Sequence, residues 1–212
     1  MTTLIFGGGG IAQGIKQVMD ATISNADVTY PGAVESAIRT FGPDVVINCA
    51  GLSYVHEVED SNPTRWRDDI MVNLIGSYHV ARACCEAGVA TMIFIASVAG
   101  LYGKPNHSSY CASKAGVIAL VQSLAMEGHN AYAVSPGRVD TKMRQLDYPN
   151  DTPGSRLEPK AIGVVILEIL DGLHRPGDNI IIRKQGLTDI VREVDRGEPW
   201  RDTLRVGLPV TI

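Results

Sequence analysis

Residues Thr2–Met19 read TTLIFGGGGIAQGIKQVM, a short apolar run, four consecutive glycines and a segment with apolar residues at helical spacing. The run Thr2–Phe6 is too short for a helix and has no polar alternation, which predicts a buried parallel strand. Gly7–Gly10 then turn the chain into a helix over IAQGIKQVM. A glycine turn of this kind lets backbone come close to a pyrophosphate, while the helix N-terminus offers amide hydrogens and a favourable dipole. A plain tight turn would use the same residues; the strand–turn–helix context favours the phosphate reading.

A second stretch, Ser97–Lys114, reads SVAGLYGKPNHSSYCASK. Tyr110 and Lys114 stand one helical turn apart, so a helix starting near Ser108 or Ser109 presents both on one face. An ammonium beside a phenol favours the phenolate, which predicts that Lys114 lowers the proton affinity of Tyr110. Ser97 ends the apolar strand run Ala90–Ala96, and the loop Val98–His107 can return it to Tyr110. Two hydroxyls then face one substrate oxygen, an arrangement suited to interconverting a carbonyl and an alcohol. A tyrosine four residues before a lysine also occurs by chance, as an ordinary helix residue and a solvated charge. Ser108 and Ser109 are expected to cap the helix, and His107 to be an exposed loop residue within reach of substrate.

Further along, Asp44–Asn48 is a short buried strand leaving through Asn48-Cys49-Ala50-Gly51, Asn73 lies in a helical pattern from about 62 to 87, and Pro136-Gly137 follows the strand 130–135. With these motifs in this order, residues 2–183 resemble the short-chain dehydrogenase/reductase family. The resemblance implies one Rossmann-like α/β domain over 1–212, a doubly wound parallel sheet, with a core at about 2–183 and a tail at about 187–212. It implies an NAD- or NADP-dependent oxidoreductase with Tyr110 as proton donor and acceptor. Ser97 would steady the substrate oxygen, Lys114 would also hold the nicotinamide ribose, and Asn73 would hold a water in a proton relay. Cofactor contacts would come from Gly7, Gly10, Ile11, Asp27, Asn48, Ala50, Gly51, Tyr110, Lys114, Pro136, Gly137, Val139 and Thr141. The helices bearing Asn73 and Lys114 would pack against a second copy, as a homodimer or homotetramer.

Two features depart from that pattern. The glycine turn is one residue short, with Gly7 in the place of the first glycine and Gly14 expected to bring the helix close to the sheet. Between Met19 and Phe41 there is little room for the second strand and helix that normally carry the NAD- or NADP-selecting residue, so the adenine side is abbreviated. Asp27 is either an adenine-side residue or a turn or capping acid. These departures motivate the alternative of a cofactor-binding regulatory or scaffold protein without turnover.

Composition agrees with an α/β domain: 212 residues, 45% hydrophobic and 20% charged, enough to bury a sizeable core. A net charge of −4 and no basic stripe argue against nucleic acid as partner, and the start of the chain lacks the features of a signal peptide or membrane anchor, so a cytoplasmic location is the expectation. Cys49, Cys84, Cys85 and Cys111 lack metal-ligand spacing and read as reduced thiols. His56 and His79 read as structural. Lys142–Pro159 is polar and proline-rich, a mobile cover over a small-molecule substrate, and Leu187, Ile190, Val191 and Val194 are helix-spaced.

Overall fold

Alternation along the strands builds the two faces of the sheet. In β1 (Thr3–Phe6), Leu4 and Phe6 are buried in one apolar cluster and Ile5 in the other. In β3 (Val45–Asn48), Val46 joins the first cluster while Val45 and Ile47 join the second. A strand buried on both sides reads as a continuous apolar run, the signature of a parallel sheet between helical layers. The computed structural model describes residues 1–152, 154–185 and 189–196.

The described strands add β2 (Thr22–Ser24), β4 (Thr91–Ile95), β5 (Ala131–Pro136), β6 (Asn179–Gln185) and β7 (Asp189–Asp195) in the order β2-β1-β3-β4-β5-β6-β7. All neighbours are parallel except the antiparallel pair β6–β7. Helices α2 (Pro31–Phe41), α4 (Gly76–Ala87) and α5 (Ser108–Met126) cover one face, and α1 (Gly10–Lys16) and α7 (Lys160–Leu170) cover the other. Helix α3 (Pro63–Ile70) starts at Asn62, whose side chain accepts from the Thr64 N–H, and runs through a π turn at Met71–Ile75 into α4. A short helix α6 (Lys142–Asp147) lies in the expected cover.

Three expectations change. A second strand is present, though it is only the three-residue β2, and a single strand lies outside β1. The dinucleotide fold usually has two there, so the abbreviation of that side holds. Ile190, Val191 and Val194 lie in strand β7, not a helix, because pairing with β6 gives their backbone a ladder of partners. Leu187 and the tail 197–212 lie outside the described residues. Gly14 packs against Pro159 and Lys160 at the start of α7 rather than against the sheet.

A methyl group at Gly14 would fall on the Pro159 backbone, and overpacking a rigid contact of this kind costs about 1–3 kcal/mol. Gly14→Ala is therefore expected to lower the urea midpoint at unchanged slope, and an unchanged midpoint would show that α1 and α7 can separate freely.

Candidate active site

The strand order turns at β1, with β2 on one side and β3 on the other. In open parallel sheets the crevice at the carboxyl ends of the strands near this reversal is where ligands bind. A cavity of about 770 Å³ opens there, with Ile11 of α1, Gly51, Ser97, Tyr110, Lys114 and Gly137 among its walls. That volume is in the range of ligand sites.

Ser97 leaves β4 in extended conformation, and its Oγ accepts from the Ala99 N–H at 3.1 Å, capping the 3₁₀ turn Val98–Gly100. Gly100 lies so close to α5 that a Cβ would stand 2.7 Å from the Lys114 carbonyl carbon. This contact brings the turn, and Ser97 with it, against the helix bearing Tyr110. Lys114 is 5% exposed; its Nζ donates to the Ile95 carbonyl at 2.8 Å and lies 5.8 Å from the centroid of the Tyr110 ring.

The proton affinities run opposite to the expectation for Tyr110. Burial pushes its hydroxyl up to about 12, the Ser97 hydroxyl opposes this, and the carboxylates of Asp69 and Asp147 add to it. Loss of hydration penalises a phenolate, and it is the largest influence on Tyr110. Burial also pulls Lys114 down to about 8, with Cys49 and Asp69 acting the other way. The site thus holds a firmly protonated phenol beside an amine whose proton is held less firmly than that of an exposed lysine.

Asn73 is fully buried behind this pair, in the π turn. Its Oδ1 accepts from the Leu52 N–H at 2.9 Å, and its Nδ2 donates to the Leu52 carbonyl at 2.9 Å and the Ser113 Oγ at 3.0 Å. A Cβ at Gly51 would stand 3.1 Å from Asn73 Oδ1 and 3.4 Å from Lys114 Nζ. Both polar groups therefore converge on one glycine.

Of the expected cofactor contacts, Ile11, Gly51, Pro136, Gly137, Val139 and Thr141 line the cavity. Gly7 and Ala50 stand behind it: Gly7 has φ +87°, and a Cβ would come within 2.6 Å of the Ala50 nitrogen. Gly10 abuts Thr141, where a Cβ would lie 2.9 Å from Cγ2. Asn48 is buried and structural, accepting from the Ala50 N–H at 3.1 Å and donating to Ser77 Oγ at 3.0 Å. Asp27 is an exposed turn acid outside the cavity, its Oδ1 accepting from the Thr29 N–H at 2.9 Å and Oγ at 2.8 Å.

Ser108 and Ser109 do not cap α5; both lie inside it, and their hydroxyls reach α3. His107 is buried, not exposed. Its Nδ1 donates to the Pro105 carbonyl at 2.8 Å, which leaves Nε2 to accept from the Tyr148 hydroxyl at 2.8 Å. Tyr148 in turn accepts from Lys104 Nζ at 2.6 Å, and its ring lies beneath the Arg144 guanidinium at 3.6 Å. Arg144 is paired with Asp151 at 2.6 and 2.9 Å, and Arg156 ties down Asp140 at 3.0 Å. These bonds seat the cover segment on the outer wall of the cavity. Sequence gave no signal for Lys104 and Tyr148, which meet across 44 residues. Cys111 is outside the cavity lining, and all four cysteines are free thiols. Among the described residues no cluster suits a metal, and no helix is long and apolar enough to cross a membrane.

The family model described as short chain dehydrogenase matches residues 10–151. A D-beta-hydroxybutyrate dehydrogenase of Rhizobium meliloti is 32% identical over 138 residues, which is 59% of this chain and 54% of that protein. The chain thus spans about half the length of that relative. An uncharacterized oxidoreductase of Staphylococcus aureus is 32% identical over 157 residues, 68% of this chain and 67% of that one. Among solved structures, a 3-oxoacyl-[acyl-carrier protein] reductase with bound NAD from Brucella melitensis superposes with a TM-score of 0.70 at 24% identity, covering 85% of this chain and 88% of that one. The matched family model, which covers two thirds of the chain and takes in the Ser97–Tyr110–Lys114 cluster, establishes that this chain belongs to the short chain dehydrogenase family.

Proposed function

We propose that the protein is an NAD(P)-dependent oxidoreductase that interconverts a carbonyl and an alcohol on a small molecule. The observation that carries this reading is the convergence of Ser97, Tyr110 and Lys114 on one cavity wall at the strand-order reversal. The residues present fit a dinucleotide. The cavity runs from Ile11 at the start of α1, past Gly51, to Pro136–Thr141 beyond β5. A bound nicotinamide supplies or accepts the hydride.

The chain's own residues manage the oxygen and its proton. Ser97 donates a hydrogen bond to the substrate oxygen and keeps it beside Tyr110. In reduction, the Tyr110 O–H gives its proton to that oxygen as negative charge builds there. Lys114, held by the Ile95 carbonyl, stabilises the resulting phenolate and donates toward the cofactor ribose. Asn73 fixes the Leu52 segment and stands beside Lys114, where it supports a water-borne relay that restores the proton. The cover segment excludes bulk water from this exchange. The outer faces of α4 and α5 are the surfaces for a homodimer or homotetramer. The single strand outside β1 favours a second reading, cofactor binding without turnover.

Calorimetric titration of the four oxidised and reduced NAD and NADP forms, followed by a panel of carbonyl substrates, separates the two. The oxidoreductase reading expects binding of one cofactor pair and turnover that falls about 100-fold or more in Tyr110→Phe, the scale of general acid catalysis. Binding with no turnover would leave the second reading, and turnover equal in Tyr110→Phe would refute the assigned chemistry.

Lys114 also sets a pH-dependence of stability in the free protein. Its folded value of about 8 lies below the ordinary 10.5, so between these values the unfolded chain binds a proton that the folded chain does not. Stability from this group therefore rises with pH through that window, and below pH 8 the full penalty applies. Lys114→Met is expected to raise stability at pH 7 by about 1–3 kcal/mol, with the gain shrinking by pH 10. Urea denaturation of both proteins across that range measures it; a gain constant with pH would mean that Lys114 is not the titrating group.

A further inference from the structure

The face of α3 and its π turn carries Trp66, Asp69 and Asn73 at the spacing i, i+3, i+7, and each side chain bonds the first two turns of α5. Trp66 Nε1 donates to Ser108 Oγ at 3.1 Å, Ser109 Oγ donates to Asp69 Oδ2, and Asn73 Nδ2 donates to Ser113 Oγ at 3.0 Å. Ser113 Oγ in turn donates to the Tyr110 carbonyl at 2.8 Å. The three bonds bracket Tyr110 from both sides. The middle one stands apart chemically: Asp69 and Ser109 are both wholly buried, and Asp69 Oδ1 has no hydrogen-bond partner. A carboxylate enclosed at the end of α3 with half its acceptors unused is costly. One neutral hydrogen-bonding side chain would have sufficed to hold Ser109.

We propose that Asp69 is a positioning residue that fixes the first turn of α5 through Ser109 and places a buried carboxyl group beside the Tyr110–Lys114 pair. This rests on the oxidoreductase reading for its catalytic consequence, although the effect on Tyr110 is independent of turnover. Burial raises Asp69 itself above the usual carboxylate range, against the Ser109 hydroxyl. At the high pH where Tyr110 titrates, Asp69 is ionised, and its charge opposes loss of the tyrosine proton. The same charge favours the Lys114 ammonium. The other groups acting on Tyr110 are Asp147 of α6 and Cys111 of α5 itself, with Lys114 one turn on and the neutral His107 ring against its edge at 6.4 Å. Asp147 lies in the cover, whereas Asp69 belongs to the rigid helix pair.

The test compares the full chain with Asp69→Asn, which can still accept from Ser109 but lacks the charge, and with Ser109→Ala, which removes the bond but keeps the carboxylate. With 3-fluorotyrosine at position 110, ¹⁹F NMR follows the Tyr110 titration without any substrate. In Asp69→Asn the midpoint is expected to move down by about one unit, and the pH profile of alcohol oxidation to move acidward with it. In Ser109→Ala the fluorine line is expected to shift or broaden, and kcat to fall about tenfold at unchanged cofactor KM, as a misplaced proton donor implies. A midpoint shift in a protein that turns nothing over would uphold the tuning role while refuting the oxidoreductase reading. Turnover in the native chain with midpoint, profile and kcat unchanged in both variants would overturn the role of Asp69.

Discussion

The ammonium of Lys114 is the group around which the neighbouring structure is arranged. A cation removed from water needs hydrogen-bond acceptors in the place of its hydration, and the last carbonyl of β4, at Ile95, supplies one at 2.8 Å. That bond fixes α5 relative to the sheet at the height where Ser97 leaves β4. Gly51 has to be glycine for the same reason, because a side chain there would press on both Lys114 and Asn73. Strand exit, glycine and helix are therefore three consequences of housing one buried charge.

Burial acts with opposite sign on the two members of the pair. It raises the phenol of Tyr110 to about 12 and lowers the amine of Lys114 to about 8, since in each case the charged form loses its hydration. The phenol therefore holds its proton firmly, while the amine holds its proton less firmly than an exposed lysine does.

What could be read in the sequence was what repeats locally. The apolar runs gave the strands because burial on both faces leaves no room for polar residues, and the spacing of Tyr110 and Lys114 gave a shared helical face. The π turn around Asn73, the antiparallel strand β7 and the inward turn of His107 depend on partners distant in the chain, and no local pattern announces them. Ser108 and Ser109 illustrate the difference. By composition they were helix caps, but Trp66 and Asp69, about 40 residues earlier, offer their hydroxyls stronger engagements than the helix end does. The i, i+4 relation of Asp69 to Asn73 was visible, yet it identifies a shared face without showing what that face meets. The raised proton affinity of Tyr110 was hidden for a related reason, because sequence shows which charges are near and not how much water has been excluded.

The abbreviation of the sheet falls on the β2 side of β1, whereas Asn73, Ser97, Tyr110 and Lys114 are carried by elements on the β3–β4–β5 side. Their hydrogen bonds run to Leu52, Ile95 and Ser113, and none crosses to β2. The two sides nonetheless share a helix: Gly76 of α4 packs on Val28, and His79 Nδ1 donates to the Val28 carbonyl at 2.8 Å, so the segment after β2 rests on the helix that continues from the Asn73 turn. A shortened outer edge therefore has to preserve that contact if Asn73 is to keep its place.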